Sequence, residues 1–383
     1  MASLDRSLPE RPGVWVQAAR REMIENKTIH EIDLSSASSI QEEQYLMLRV
    51  LRKSLPYYRL SLAKFGLDEW AKNAASMLEK CRSWTDYLES FSSELKEGTF
   101  ALPRFYQKQV AHIPTDATFR PNVAVSPPRR SARLKDLAAG IKKLSFDVPS
   151  EPPNTPRPKS PGEFNDTPTV ESVAKDTPPW ERSYGPQELL DLNYPKTKDE
   201  QIVNTALIDF LNAFIIHRRF GSYWTLYRKP FVASFRHGSF EARTDGCLEG
   251  GNSETLKTYA IVEVKPMLRR KQFARIAMQE AAEMVAWIKA EPDPAGFISS
   301  CGSRVLVSQD RHEIYLTFAE YGANYVKYLN NTLGQEESPD FLTLHEFGPW
   351  DTCKAGDMKD LGRILLAIAL RAETERCESA PKK

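Results

Sequence analysis

The chain has 383 residues, a formal net charge of +1 and 41% hydrophobic residues. That balance gives no global pull towards nucleic acid or membrane, so binding to either would need a local patch. No apolar run is long enough to cross a bilayer, and the opening MASLDRSLPERPG lacks the hydrophobic core of a secretory signal. An intracellular protein without membrane partners is expected, with two domains or one domain and a long appendage. Five cysteines, Cys81, Cys247, Cys301, Cys353 and Cys377, are scattered without a CxxC pair, which argues against a disulfide framework or a zinc site.

Residues 1–120 read as a helical N-terminal region. Ser39 with Glu42 has the spacing of a capping box ahead of QEEQYLMLRVLRKSL. Trp70, Ala74, Met77, Cys81, Trp84, Leu88, Phe91 and Leu95 alternate by four and three, which predicts one continuous apolar stripe on a helix. Such a stripe packs into a small bundle or, as the sharper alternative, forms a seam for a protein partner.

Residues 121–186 read as a disordered linker. The stretch from Pro121 to Pro179 holds 12 of the 26 prolines, and its X-Pro steps and missing apolar periodicity cannot repay the entropy of ordering. Within PPRRSARLKDLAAGIKK, the pairs Arg129-Arg130 and Lys142-Lys143 fit a nuclear import signal or a phosphate-contacting arm. A short solvated amphipathic helix is the plain alternative.

Residues 187–376 read as a compact α/β domain. KTKDEQIVNTALIDFLNAFIIHRRF has helical spacing, and SYWTLYRKPFVASF is β-rich, with Pro230 confining it to an edge or a break. FEARTDGCLEGG suggests a short strand ending in a Gly-rich turn, and YAIVEVKPM a strand closed by Pro266. KQFARIAMQEAAEMVAWIKAEP is an amphipathic helix, SRVLVSQDRHEIYLTFAEY a hairpin turning near Gln309-Asp310-Arg311, and DMKDLGRILLAIALRAE a closing helix. In order these make a small mixed sheet flanked by helices.

Glu263 and Lys265 stand in the apolar run TYAIVEVKPM. Two apart on a strand, they share one face, while Val262 and Val264 with the flanking Ile261 are expected to fill the other. Burying either charge alone costs several kcal/mol, so each needs a partner or an ion. A cross-strand ion pair on a solvated face would satisfy them without any chemistry. Asp245, eighteen positions earlier and just before Gly246, changes the balance. If its strand neighbours the Glu263 strand, two carboxylates approach and repel unless a cation lies between them. Oxygen donors of this kind suit Mg²⁺ or Mn²⁺, and a nearby lysine can stabilise charge developing on phosphate. The set fits metal-assisted phosphodiester hydrolysis.

The order Asp245, then Glu263-Val264-Lys265 on the next strand, resembles the PD-(D/E)XK nuclease superfamily, from Lys196 to the last helix. With the proline-rich preamble and the GPWDTC…DMKDLGRILLAIALR ending, it is similar to the PD-(D/E)XK nuclease-like domains common in fungal proteins. The resemblance implies a restriction-endonuclease-like core and a Mg²⁺- or Mn²⁺-dependent nuclease, with DNA ahead of RNA as the expected nucleic-acid partner. It implies Asp245 and Glu263 as metal ligands and Lys265 as the catalytic lysine. Glu200 would be the acidic residue on the helix before the sheet, with Asp209 as the competing candidate. Gln279 matches a glutamine that some branches carry after the lysine; an exposed helix residue is its plain alternative. Thr244 stands where the family pattern has proline.

Arg269, Arg270, Lys271 and Arg275 follow the EVK strand where a nucleic-acid phosphate would pass, unless they are solvated surface charges. His217, Arg218 and Arg219 would extend such a patch if they lay on the same side. The histidines of this region lack HxH or HExxH spacing, and no GxSxG or GxxxxGK pattern occurs. The other reading keeps the nuclease fold as a non-catalytic scaffold that binds protein or nucleic acid.

Overall fold

The computed structural model describes residues 8–111, 199–251, 256–292 and 299–379. The proline-rich segment with its two basic pairs lies outside the described residues. Those residues form an α/β architecture of a seven-stranded mixed sheet, a two-stranded sheet and nine α-helices.

The helices before the linker are α1 (Pro12–Arg21), α2 (Glu42–Met47), α3 (Asp68–Glu79), α4 (Arg82–Glu89) and α5 (Ala101–Ala111). The remaining four are α6 (Glu200–Ala213), α7 (Phe273–Ala290), α8 (Ala323–Leu329) and α9 (Ala355–Ser379). The strands of the large sheet are β1 (Val50–Leu55), β2 (Ser222–Thr225), β5 (Gly246–Gly250), β6 (Lys257–Lys265), β7 (Ser299–Asp310), β8 (Glu313–Gly322) and β9 (Leu342–Asp351). They lie in the order β1-β9-β8-β7-β6-β5-β2, with β3 (Pro230–Ser234) and β4 (Ser239–Arg243) paired separately. Only β1 with β9 and β6 with β7 run parallel. The helix α7 supplies the crossover from β6 to β7, as a parallel pair requires.

The N-terminal region departs from its helical expectation. QEEQYLMLRVLRKSL is helical only to Met47; the chain turns at Arg49, whose φ is 54°, and continues as β1. Val50 and Leu51 are buried there, and β1 pairs with β9. Long-range strand pairing overrides local helix preference at this point. Ser39 does not cap α2: it sits in a 3-10 turn, its hydroxyl lies 2.8 Å from that of Ser36, and Gln41 takes the cap position without a side-chain bond. The predicted stripe from Trp70 to Leu95 is broken at Cys81, which is extended, giving α3 and α4 in place of one helix. Ala74 and Trp84 nevertheless bury in the core that includes α9, with Trp70, Met77, Cys81, Leu88 and Phe91 packed against it, so the stripe serves the core of the chain itself.

Two apolar layers lie on opposite faces of the sheet. Val262, Val264, Val307 and Leu316 pack with α3, α4, α6 and α9. Ile261 and Leu306 pack with α7, α1, α2 and the β3–β4 hairpin. Ile261 therefore shares a face with Glu263 and Lys265, as strand alternation requires, and does not join Val262 as expected.

FEARTDGCLEGG contributes two strands, β4 and β5, which belong to different sheets and are separated by Thr244-Asp245. Pro230 begins β3 in the two-stranded sheet, where a missing ladder donor is tolerated. The predicted hairpin turns at Arg311, with a φ of 58°.

Candidate metal centre

Three elements converge on one end of β6. Asp199 caps α6 by accepting from the Gln201 amide at 2.9 Å, which sets Glu200 at the first helical position. From the next turn, Asn204 Nδ2 donates to the Asp245 carbonyl at 2.8 Å and ties the helix to the connection before β5. Asp245 is held against β6 by two bonds. Its amide donates to Val262 O at 2.9 Å, and its Oδ2 accepts from the Val264 amide at 3.1 Å. Gly246 permits the close approach of the neighbouring strand, since a Cβ there would lie 2.5 Å from Thr225 O.

The result is an acidic trio. Glu200, Asp245 and Glu263 each offer a carboxylate oxygen, and the three atoms lie within 4.8 Å of one another. Asp245 and Glu263 are buried and Glu200 is exposed, so the group opens to solvent on the α6 side. Among the described residues this is the one cluster of three or more such groups that could hold a metal ion. Asp209, the competing candidate, is about 13 Å farther along the same helix at 1.5 Å per residue and does not join the trio. Burial raises its carboxyl above the ordinary range.

Lys265 Nζ bonds Glu263 Oε1 and lies 3.6 Å from Glu200 Oε1. Burial opposes its charge, but the Glu263 and Glu283 carboxylates hold the ammonium above its usual range. Gln279 Nε2 donates to Glu263 Oε1 at 2.6 Å and to Glu283 Oε1 at 2.9 Å, so its amide faces inward. Burial, reinforced by the nearby Glu283 carboxylate, raises the Glu263 carboxyl well above the ordinary carboxylate range. Glu283 is pushed up to about 8, again chiefly by burial. Two buried carboxyls with raised affinity for protons mark a place where a bound cation would relieve repulsion. Glu263 Oε2 is buried without a hydrogen-bond partner and the donor set is all oxygen, so these residues fit a hard divalent cation.

The cations expected to contact nucleic acid are dispersed. Arg269 is buried, with Nε donating to Asp310 Oδ2 at 2.5 Å and the guanidinium also bonded to Glu280 and Glu346. It sits inside the protein and cannot meet a phosphate at the surface. Arg270 and Lys271 are half-buried, and Arg275 is exposed. His217 Nε2 lies 2.6 Å from Thr99 Oγ1, and Arg218 Nε donates to Phe214 O at 2.8 Å.

Three side chains at this centre were not singled out from the sequence. Asn204 orients the Asp245 backbone, and Glu283 shares Gln279 with Glu263. Arg228 Nη2 lies 3.1 Å from Asp245 Oδ1. For Glu283 a signal existed: a charge within AAEMVAWI, on a helix buried on nearly every side, needs a partner. No protein-family model matches the chain, and no curated protein matches it.

Proposed function

We propose that the protein is a metal-dependent phosphodiester hydrolase of nucleic acid, built on a restriction-endonuclease-like core with a PD-(D/E)XK type of site. The observation that carries this reading is the meeting of Glu200, Asp245 and Glu263 within 4.8 Å, with Lys265 against Glu263. Asp245 and Glu263 would hold Mg²⁺ or Mn²⁺, and Glu200 would complete the oxygen set from the solvent side. A divalent cation bound there supplies Lewis acidity towards a phosphoryl oxygen and lowers the pKa of coordinated water. Lys265 presents a fixed positive charge where negative charge develops on the phosphate. Gln279 keeps Glu263 oriented by a bond to one carboxylate oxygen.

A second reading draws on a specific feature. Asp245 already meets the Arg228 guanidinium, and Glu263 meets Lys265 and Gln279. A site whose charges are internally neutralised would serve a non-catalytic scaffold that binds protein or nucleic acid.

Cleavage of single- and double-stranded DNA and RNA in Mg²⁺ or Mn²⁺ separates the two. The nuclease reading expects metal-dependent cleavage that Asp245→Ala and Lys265→Ala both abolish. Absence of cleavage of every substrate, or cleavage that survives both substitutions, overturns it.

A further inference from the structure

Arg228 occupies the loop between β2 and β3, and its backbone is anchored at both ends. The Tyr227 amide donates to Thr225 Oγ1 at 2.9 Å, and the Thr244 amide donates to Lys229 O at 3.3 Å. Lys229 turns inward, with Nζ donating to Thr258 Oγ1 at 2.7 Å and lying 2.7 Å from Glu291 Oε1. Of these two adjacent cations, Lys229 is therefore committed to the fold. Arg228 instead keeps 65% of its side-chain surface exposed while its tip rests on the buried carboxylate of Asp245. A long, largely exposed side chain on a fixed backbone, held by this one contact, can leave once another cation takes the buried carboxylate.

We infer that Arg228 is a phosphate-contacting residue that rests on Asp245 until a divalent cation takes that carboxylate. The assignment rests on the nuclease reading above. A guanidinium and a metal ion at Asp245 repel each other, so Arg228 lowers the affinity of the trio for metal. Displaced from Asp245, the same guanidinium remains beside the centre, where a planar fork of donors matches the oxygens of a nucleic-acid phosphate. This places a basic contact on the β2–β3 loop beside the trio, a position that the buried Arg269 cannot fill.

The test pairs two equilibrium measurements on the full chain. Mn²⁺ is titrated calorimetrically into wild type, Arg228→Ala and Arg228→Lys. A labelled oligonucleotide that wild type cleaves is then bound, in Mn²⁺ at several salt concentrations, to the same proteins carrying Lys265→Ala. Arg228→Ala is expected to bind Mn²⁺ several-fold more tightly and the oligonucleotide roughly 10-fold more weakly, with a salt slope smaller by about one. Arg228→Lys is expected to recover much of the oligonucleotide affinity, since it restores the charge. Such opposite shifts are not produced by a merely structural defect. Unchanged or weakened Mn²⁺ affinity in Arg228→Ala, or an unchanged salt slope, overturns the assignment while leaving the metal centre standing. Failure of wild type to bind Mn²⁺ overturns the metal centre itself, and the assignment with it.

Discussion

Gln279 Nε2 donates to Glu263 Oε1 at 2.6 Å, tying α7 to the strand that precedes it. The same amide nitrogen donates to Glu283, so one neutral side chain separates two buried carboxyl groups. Gln279→Ala removes both bonds: Glu263 Oε1 keeps Lys265, and the buried Glu283 Oε1 loses its donor. Loss of about 1–3 kcal/mol of stability is expected, the usual cost of orphaning buried polar groups. Urea denaturation measures it; a midpoint within error of wild type would contradict the role given to Gln279.

Arg52 of β1 bonds both Glu280 of α7 and Glu346 of β9, and Arg269 bonds the same two carboxylates. This buried network fastens the N-terminal strand to the helix that carries Gln279 and Glu283. Arg52→Met leaves Glu280 and Glu346 with one guanidinium between them, and should cost about 3–5 kcal/mol. The change is read from the urea midpoint, and a loss below about 1 kcal/mol would show that β1 contributes little to this assembly.

Burial lowers the His312 imidazole from 6.5 to about 4, so the folded protein keeps the ring neutral. Between those values the unfolded chain binds the proton and the folded protein does not. Stability is therefore full above pH 6.5 and falls as pH drops towards 4. Glu346 acts lower on the scale. Burial opposes its ionisation, but Arg52 and Arg269 outweigh it and hold the carboxyl at about 2, below its ordinary 4.5. Its contribution is present above 4.5 and is lost as pH falls through about 2. Melting temperature measured against pH should show the upper decline in wild type and a shallower one in His312→Gln. Parallel curves would contradict the assignment of that window to His312.

Gly246 follows Asp245 where β5 approaches β2. A Cβ at this position would lie 2.5 Å from Thr225 O and 2.9 Å from Ile208 Cδ1. Gly246→Ala should cost about 1–3 kcal/mol through overpacking, and should weaken Mn²⁺ binding because the strain falls beside Asp245. Thermal melts and calorimetry measure the two effects. Unchanged stability and metal affinity would show that the approach of the strands does not position the carboxylate.

The sequence reveals the centre more clearly than the fold around it. Glu263 and Lys265 are visible because two charges within an apolar strand demand partners, and Asp245 because it is expected at the end of the preceding strand, from which its carboxylate can approach Glu263. Their meeting depends on β5 pairing with β6, which only the fold determines. LMLRVLRKSL suggests helix because it contains good helix formers, whereas the partner that makes part of it β1, strand β9, lies nearly three hundred residues away. Arg269 looks like a surface cation in the sequence because its acidic partners Asp310, Glu280 and Glu346 come from β7, α7 and β9. Arg228 is hidden in the sequence for a related reason: nothing in LYRKP indicates that the guanidinium reaches Asp245, seventeen residues on.

Cation binding by the acidic trio is the first requirement of the proposed hydrolase. Mn²⁺ titrated into the protein, followed by the loss of the free-ion paramagnetic resonance signal, tests it without regard to substrate. Saturable binding to wild type is expected, weakened at least 10-fold in Glu263→Gln and in Asp245→Asn, equivalent to about 1.4 kcal/mol or more. Absence of binding to folded wild type, or equal binding by all three proteins, would contradict the account.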